Sequence, residues 1–478
     1  MTSRSEMAPE GPLRILQVGT VETGGGAATV ASGLRRGCRA RGCQAWAAVG
    51  EKRSRDPDVF VIPDDDGALY RMTGYSAVQR RLRRMASRFP GTGWGWLSRS
   101  LRFATHPRAL AYQCMGREDF EFPGTYSLLD LTPSRPDLVH CHNLHGGYFD
   151  LRALAWLSRQ VPTVLTLHDG WTLSGHCAHS FDCERWKTGC GECPDLTIEP
   201  AIRRDATAEN WARKRDIYAG SRLYIATPSR WLMQRVEQSM LAPAICEARV
   251  IPNGVDLSVF RPADKRAVRK ALGIPPDATI VLLTSGGRGS TWRDHETLRA
   301  ALGAIAARTS GRGVRFVVLG DAAASLEATA ADVRFVGYQA DQTKVAQYHQ
   351  AADVYVHSAR ADTFPTVILE ALACGTPVVA TAVGGIPEQV TSATGVLVPA
   401  GDAHAMAEAV IALLTNNEAR RLLGENAVKD ARERFDLNQQ VQGYLEWYGS
   451  IIADWNHAVS DRGAAPGRAF SQNQMAVD

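Results

Sequence analysis

Residues 362–385, DTFPTVILEALACGTPVVATAVGG, decide how the chain is organised. Pro365 suits the first position of a helix, Gly375 suits its end, and 377–381 (PVVAT) reads as a buried strand, giving loop, helix, strand and glycine turn. A helix entered this way presents unpaired N–H groups at its start, a ready site for an anion such as phosphate. Asp362 precedes the first turn, and Glu370, four residues after Thr366, shares a face with it. The two acids then bracket one phosphorylated ligand at two points; an amphipathic helix with an exposed Glu gives the same pattern without a ligand.

Working outward, 279–284 (TIVLLT) is a strand running into Ser285, Gly286, Gly287 and Arg288, with Arg293 five residues beyond. Further strands fall at 314–321, 333–338, 354–358 and 395–399, and helices at 403–414, 418–434 and 438–452. At the other end, 13–19 (LRILQVG) leads through Gly24, Gly25 and Gly26 into a helix over 27–41, the opening of a dinucleotide-type fold. A second strand follows at 44–49. Strands at 137–142 (DLVHCH) and 161–168 (VPTVLTLH) deliver His140, His142 and His168 to their carboxyl ends, where open α/β sheets place ligands. His140 and His142 read as satisfied core or rim histidines. A last strand over 222–227 precedes 250–262, whose Pro252, Asn253 and Gly254 suit a hinge.

At 478 residues the chain suits two domains with appended helices, and 45% hydrophobic with 22% charged residues is ordinary for a globular protein. No run approaches the ~20 apolar residues of a membrane span, and the amino terminus lacks an apolar signal core, so the expectation is cytoplasmic. Net charge is +4, yet 67–117 holds ten Arg and no acid. Within it, 78–103 combines an apolar stripe (Val78, Leu82, Met85, Phe89) with Arg on the remaining face, then Trp94, Trp96 and Phe103. That pattern fits an anionic membrane surface, at ~1 kcal/mol per cation, or equally a stripe packed on the domain with a solvated Arg face. Nucleic acid is the weaker third reading, and none is expected as a partner. Cys177, Cys183, Cys190 and Cys193 lie in a short polar loop over 175–194, spaced by five, six and two residues with one compact pair, and read as a structural zinc site, with His176 and His179 as substitutes, or as four reduced thiols.

The spacing acid, seven residues, Glu, then A-x-A-x-G-x-P-V-V, resembles the retaining glycosyltransferases of family 4. Asp362 stands where that family has Glu, and Thr363 and Pro365 replace its glycines. Two further segments, HDGWTLSGHC at 168–177 with its Cys-rich loop and PSRWL at 228–232, resemble a bacterial subgroup building exopolysaccharide, O-antigen and colanic-acid-type units. The resemblance covers about 13–448. It implies an α/β, GT-B architecture: two Rossmann-like doubly wound domains facing across a cleft. The boundaries expected are 11–255 for the acceptor domain (insertion 64–125), 256–435 for the nucleotide-sugar domain, 436–456 for a helix returning to the first domain, and 457–478 for a disordered tail.

The resemblance also implies roles. Asp362 and His168 face the donor sugar, Glu370 holds the ribose, and Arg288 and Arg293 grip the diphosphate as guanidinium forks. Gly286, Gly287 and the helix start at Thr363, Phe364, Pro365 and Thr366 complete the phosphate site; Gly337 and Tyr338 meet the base; Gly24, Gly25 and Gly26 floor the cleft. Catalysis needs no metal cofactor. The expected donor is a UDP- or GDP-sugar and the expected acceptor a glycan, lipid-linked, at the inner face of the plasma membrane. A nucleotide-sugar epimerase of the same fold and a non-catalytic sugar-nucleotide binding protein are the competing readings.

Overall fold

The computed structural model describes residues 11–63, 107–285, 292–311, 313–320 and 332–461. The Arg-rich 78–103 segment lies outside these residues.

The first half builds a seven-stranded sheet from β1 (Arg14–Val21), β2 (Gln44–Glu51), β3 (Val59–Val61), β4 (Leu138–His142), β5 (Thr163–Thr166), β6 (Leu223–Thr227) and β7 (Ile245–Val250). Their order is β3-β2-β1-β4-β5-β6-β7, every pair parallel. The second half builds six strands: β8 (Thr279–Thr284), β9 (Val314–Leu319), β10 (Val333–Val336), β11 (Val354–His357), β12 (Val378–Thr381) and β13 (Gly395–Val398). Their order, β10-β9-β8-β11-β12-β13, is again all parallel. Parallel strands need helical crossovers, and those helices cover both faces. That is why β4, β5, β11 and β12 are buried at every position, histidines included. Both orders are doubly wound, and the α/β, GT-B expectation holds.

The last helix, Leu437–Asp461, returns to the first sheet. Val441, Tyr444, Trp447, Tyr448 and Ile451 recur at helical spacing and pack on Ile15, Leu34, Cys38 and Val164. A bridge between Val255 and Asp436 and a bond from Gly254 N to Gln440 Oε1 (3.0 Å) tie its start to the crossover. This helix continues to Asp461, so residues 457–461 are not the disordered tail expected of them. Pro365 also sits one position earlier than expected, as the N-cap of a helix over Thr366–Ala373. In the described part of the insertion Phe120 packs into the first domain's core, beside Leu128 and Leu129 that follow it. Among the described residues no helix is long and apolar enough to cross a membrane.

Candidate active site

The second sheet reverses its order between β8 and β11, the point beyond whose carboxyl ends such sheets bind ligands. β11 ends in His357 and leads to Asp362, while Arg293 bridges back to Ala359. The three side chains converge. Arg293 Nη1 is 3.0 Å from His357 Nδ1 and 3.6 Å from Asp362 Oδ2, and His357 Nε2 is 3.3 Å from Asp362 Oδ2. The Tyr355 hydroxyl lies 3.1 Å from His357 Nδ1 and 2.7 Å from Thr284 Oγ1, which fixes the ring from below.

Burial and the neighbouring Arg293 charge push His357 down to about 4, so the ring is neutral at pH 7. Arg293 Nη1 lies against both ring nitrogens of His357, so Nε2 faces the guanidinium as well as Asp362 Oδ2. Burial raises Asp362, but the His357 hydrogen bond and the Arg293 charge outweigh it and hold the carboxyl below its usual range. The result is a fixed carboxylate beside a fixed guanidinium.

Around this pair the backbone is close-packed. Gly384 has φ +56, and a Cβ there would stand 1.8 Å from Asp362 O; a Cβ on Gly385 would stand 2.0 Å from Thr363 O. The Thr366–Ala373 helix has no side-chain cap, whereas Asp264, Asp294, Asp341, Asp402 and Asn416 cap other helices of this half. Thr363 is buried, and Phe364 packs edge-on against Phe435 with ring centroids 6.0 Å apart, so only its backbone can serve a ligand. The Phe364 carbonyl accepts from Asn253 Nδ2 (3.2 Å), and the Pro365 carbonyl from Gln389 Nε2 (3.0 Å).

Thr366 and Glu370 line a crevice of about 30 Å³ with Thr29, Gly33 and Arg36 from the first half. Glu370 Oε2 stands 3.5 Å from His349 Nε2. Tyr338, after β10 and Gly337, is 65% exposed, and its hydroxyl is 3.9 Å from where a Cβ on Gly24 would sit. Gly24 and Gly25 both have φ +88, and nothing lies within 4 Å of a Cβ built on Gly25 or Gly26, which leaves that loop open. Arg288, Gly286 and Gly287 lie outside the described residues.

Across the cleft, β4 and β5 hold a chain of histidines. Gln17 presents Oε1 to His142 Nε2 at 2.7 Å, and His142 Nδ1 lies 3.0 Å from His168 Nε2. The oxygen requires N–H at His142 Nε2; His142 Nδ1 then accepts from His168 Nε2–H, and His168 Nδ1 remains an acceptor. Burial pushes His168 down to about 4. His140 is an interior residue, 2.6 Å from the Tyr448 hydroxyl and 2.7 Å from Thr166 Oγ1. His142 is interior too, though it orients His168.

The following loop is held as firmly. Asp169 Oδ1 accepts from Trp171 N (2.9 Å), and Asp169 Oδ2 is 2.8 Å from His145 Nε2. Burial lowers His145 and raises Asp169, but their mutual attraction prevails in both, leaving His145 raised and Asp169 lowered. Lys214, wholly buried, donates to the carbonyls of Trp171 (2.9 Å) and Ser174 (3.0 Å) and pairs with Glu118 Oε2 at 2.7 Å. Beside this loop opens a cavity of about 630 Å³ lined by Phe120, His145, Phe149, Trp171 and Arg203 among others.

The Cys-rich segment spans the cleft. The His179 ring stacks on Trp231 (5.4 Å, 12°) and meets Trp292 of the second half edge-on at 6.0 Å; Phe181 stacks on Trp292 at 5.8 Å. Nearby, the Glu388 carboxylate accepts from Arg230 N (2.9 Å) and Trp231 N (2.8 Å), across the two halves. The four cysteines and His176 line one small cavity, although among the described residues no three His, Cys, Asp or Glu are arranged to hold a metal ion. His145, His357, Lys214 and the aromatic stack were passed over in sequence. For His357 the signal existed: a histidine ending a buried strand, as with His142 and His168.

The fold places the chain among GT-B glycosyltransferase structures. A sucrose-phosphate synthase from Thermosynechococcus elongatus superposes with TM-score 0.59 at 19% identity, covering 92% of this chain and 100% of that one. The glycosyltransferase WaaG, involved in lipopolysaccharide biosynthesis, superposes with TM-score 0.57 at 16% identity, covering 92% and 99%. In sequence, residues 24–259 match Glycosyltransferase Family 4 and residues 280–416 match Glycosyl transferases group 1. D-inositol 3-phosphate glycosyltransferase 2 of Catenulispora acidiphila is 31% identical over 377 residues, 73% of this chain and 80% of that protein. The putative colanic acid biosynthesis glycosyl transferase WcaC of Escherichia coli is 27% identical over 335 residues, 66% and 77% of the two chains. The chain belongs to the group 1, family 4 glycosyltransferases, which sets the epimerase reading aside.

Proposed function

We propose that this glycosyltransferase is a retaining hexosyltransferase that takes sugar from a UDP- or GDP-linked donor and passes it to a lipid-linked glycan in cell-surface polysaccharide synthesis. The observation that carries the reading is the meeting of Arg293, His357 and Asp362 at the switch point of the second sheet, beside an uncapped helix start. In the reaction the bond from sugar C1 to the phosphate oxygen breaks and its electron pair stays with the diphosphate. The acceptor hydroxyl bonds to C1 on the face being vacated, and its proton goes to the departing phosphate oxygen. Negative charge therefore grows on the diphosphate, where Arg293, Arg288 and the helix amides stabilise it more in the transition state than in the ground state.

Asp362 and His168 Nδ1 accept from donor-sugar hydroxyls, Glu370 from the ribose, and Gly337 with Tyr338 meets the base. On the acceptor side, the aromatic faces of Phe120, Phe149 and Trp171 and the polar His145 and Arg203 suit a sugar ring with its apolar and hydroxyl faces. The E. coli relative's colanic acid assignment and structures of the Anabaena protein HepE with UDP and UDP-glucose support this choice of substrates. Docking of 78–103 on anionic lipid at the cytoplasmic membrane face remains part of the proposal, resting on sequence alone; equal recovery from supernatants with and without anionic vesicles removes it.

The test is a panel of UDP- and GDP-sugars with lipid-linked acceptor extracts, read by nucleotide release and by the anomeric configuration of the product. Acceptor-dependent release with retained configuration is expected. Inversion overturns the retaining assignment, and no release with any pair supports the non-catalytic binding protein.

A further inference from the structure

The segment between Gly175 and Pro194 contains one short 3-10 turn, Arg185–Lys187, and no other helix or strand. Yet three of the four non-glycine residues with positive φ among the described residues lie in it: Phe181 (45°), Cys190 (56°) and Glu192 (45°). Left-handed backbone at such residues costs ~1–3 kcal/mol each and persists only where the surroundings over-determine it. The Trp186 and Ala178 side chains are buried and His179 and Phe181 stack on Trp231 and Trp292, while the Cys177, Cys183, Cys190 and Cys193 thiols and His176 share the lining of a cavity of about 20 Å³. A space of that size admits one water-sized species.

The ring is braced from outside. His176 is tethered through Nδ1 to Pro200 O at 3.1 Å, and its Nε2 lies 3.4 Å from Cys193 Sγ. Gly175 N donates to Cys190 Sγ at 3.3 Å, and Cys193 N donates to Asp205 Oδ2 at 2.6 Å. A backbone N–H aimed at sulfur and an imidazole fixed by a carbonyl are outer-shell partners of the kind that orient metal thiolates.

We propose that Cys177, Cys183, Cys190 and Cys193 bind one structural zinc ion as four thiolates. All four are free thiols, and four sulfurs are a complete tetrahedral set for zinc, with no position left open for chemistry. The sulfurs line one cavity without converging on a point among the described residues, so the proposal requires that binding bring them together, with release of their protons. The consequence reaches the wall of the larger cavity. Ala178 N bonds to Glu199 O at 2.8 Å, and the residues that follow, Pro200 to Arg203, line the 630 Å³ cavity beside Trp171. Zinc thus orders one wall of the acceptor side without touching substrate.

The experiment is metal analysis of the full chain purified under reducing conditions and re-equilibrated with zinc, alongside intact-mass measurement. About one zinc per chain is expected, falling at least tenfold in Cys177→Ser and Cys190→Ser and unchanged in Cys246→Ser, whose thiol is exposed elsewhere. Cobalt bound to the wild type shows the absorption of a tetrahedral thiolate site, a readout that survives if a variant fails to fold. Zinc content near zero in the wild type, with all ten cysteines titrating as thiols or with mass loss from disulfides, overturns the proposal. None of these readouts depends on the donor or acceptor, so the assignment stands or falls apart from the transferase reading.

Discussion

Arg293 Nη1 and Asp362 Oδ2 stand 3.6 Å apart at the carboxyl end of the second sheet, with neutral His357 against both. An arginine already partnered by a carboxylate is held in place before any diphosphate arrives, so little reorganisation is left for the transition state. We predict that Arg293→Ala lowers turnover by roughly two to three orders of magnitude with an unchanged circular dichroism spectrum. Arg293→Lys keeps charge but loses the fork and falls between the two. Near-normal turnover of the alanine variant at saturating donor places the diphosphate elsewhere.

In the proposed function Glu370 contributes through its hold on the donor's ribose. It faces the crevice shared with Thr29, Gly33 and Arg36, four residues from the uncapped helix start. Replacing it with Gln removes a charged acceptor, a change of ~1.5–3 kcal/mol, roughly tenfold to hundredfold in affinity. Calorimetric titration with UDP or GDP detects that loss, whichever of the two binds the wild type. Unaltered affinity for both the nucleoside diphosphate and the intact donor sinks the ribose assignment.

Stability against pH follows from the buried histidines. His357 sits at about 4 because of burial and the Arg293 charge, with the Asp362 hydrogen bond opposing and Tyr355 packed beside it. The unfolded chain protonates the same ring near its ordinary 6.5, so between those values the unfolded state binds more protons and stability rises with pH. The stabilisation is whole above ~6.5 and is lost progressively as pH falls toward ~4, by ~3 kcal/mol for this one ring. His168 and His179, each pushed to about 4 chiefly by burial, act in the same direction. Urea midpoints measured from pH 7 down to pH 4.5 are expected to fall steeply, and less steeply in His357→Asn; a flat profile removes the argument.

Much of this was readable in the linear chain because apolar periodicity and glycine turns act locally. The run TIVLLT, the LRILQVG opening and the PVVAT strand each fold as their composition dictates, since strands covered on both faces have no polar alternation to obscure them. Phe364 shows where such reading stops. Its position beside the helix start suggested a ligand contact, whereas Phe435, seventy-one residues away, supplies the apolar surface that buries its ring. The His357 contact to Arg293 and the packing of His179 between Trp231 and Trp292 are likewise products of sheet order and domain approach, which no local pattern encodes. The helix that runs on to Asp461 overshot its expected end because no proline or glycine in its last turn marks a stop.

Lys214 is the clearest case of a residue invisible in sequence and decisive in three dimensions. A lysine on the Thr207–Ala219 helix reads as solvent-facing, but its ammonium is wholly buried, paired with Glu118 and donating to the carbonyls of Trp171 and Ser174. Burial lowers its pKa, and the Glu118 charge opposes that fall. The same loop carries His168 and Asp169, so one cation fixes the segment bearing both. Lys214→Met leaves the Glu118 carboxylate buried without its counter-charge, held only by the Trp171 indole N–H, and is expected to cost ~3–5 kcal/mol in chemical denaturation. Adding Glu118→Gln removes the stranded charge and is expected to recover part of that loss, a coupling that a double-mutant cycle measures directly. Independent, additive losses show that the pair does not act as a unit and that the loop is held by its own backbone turns.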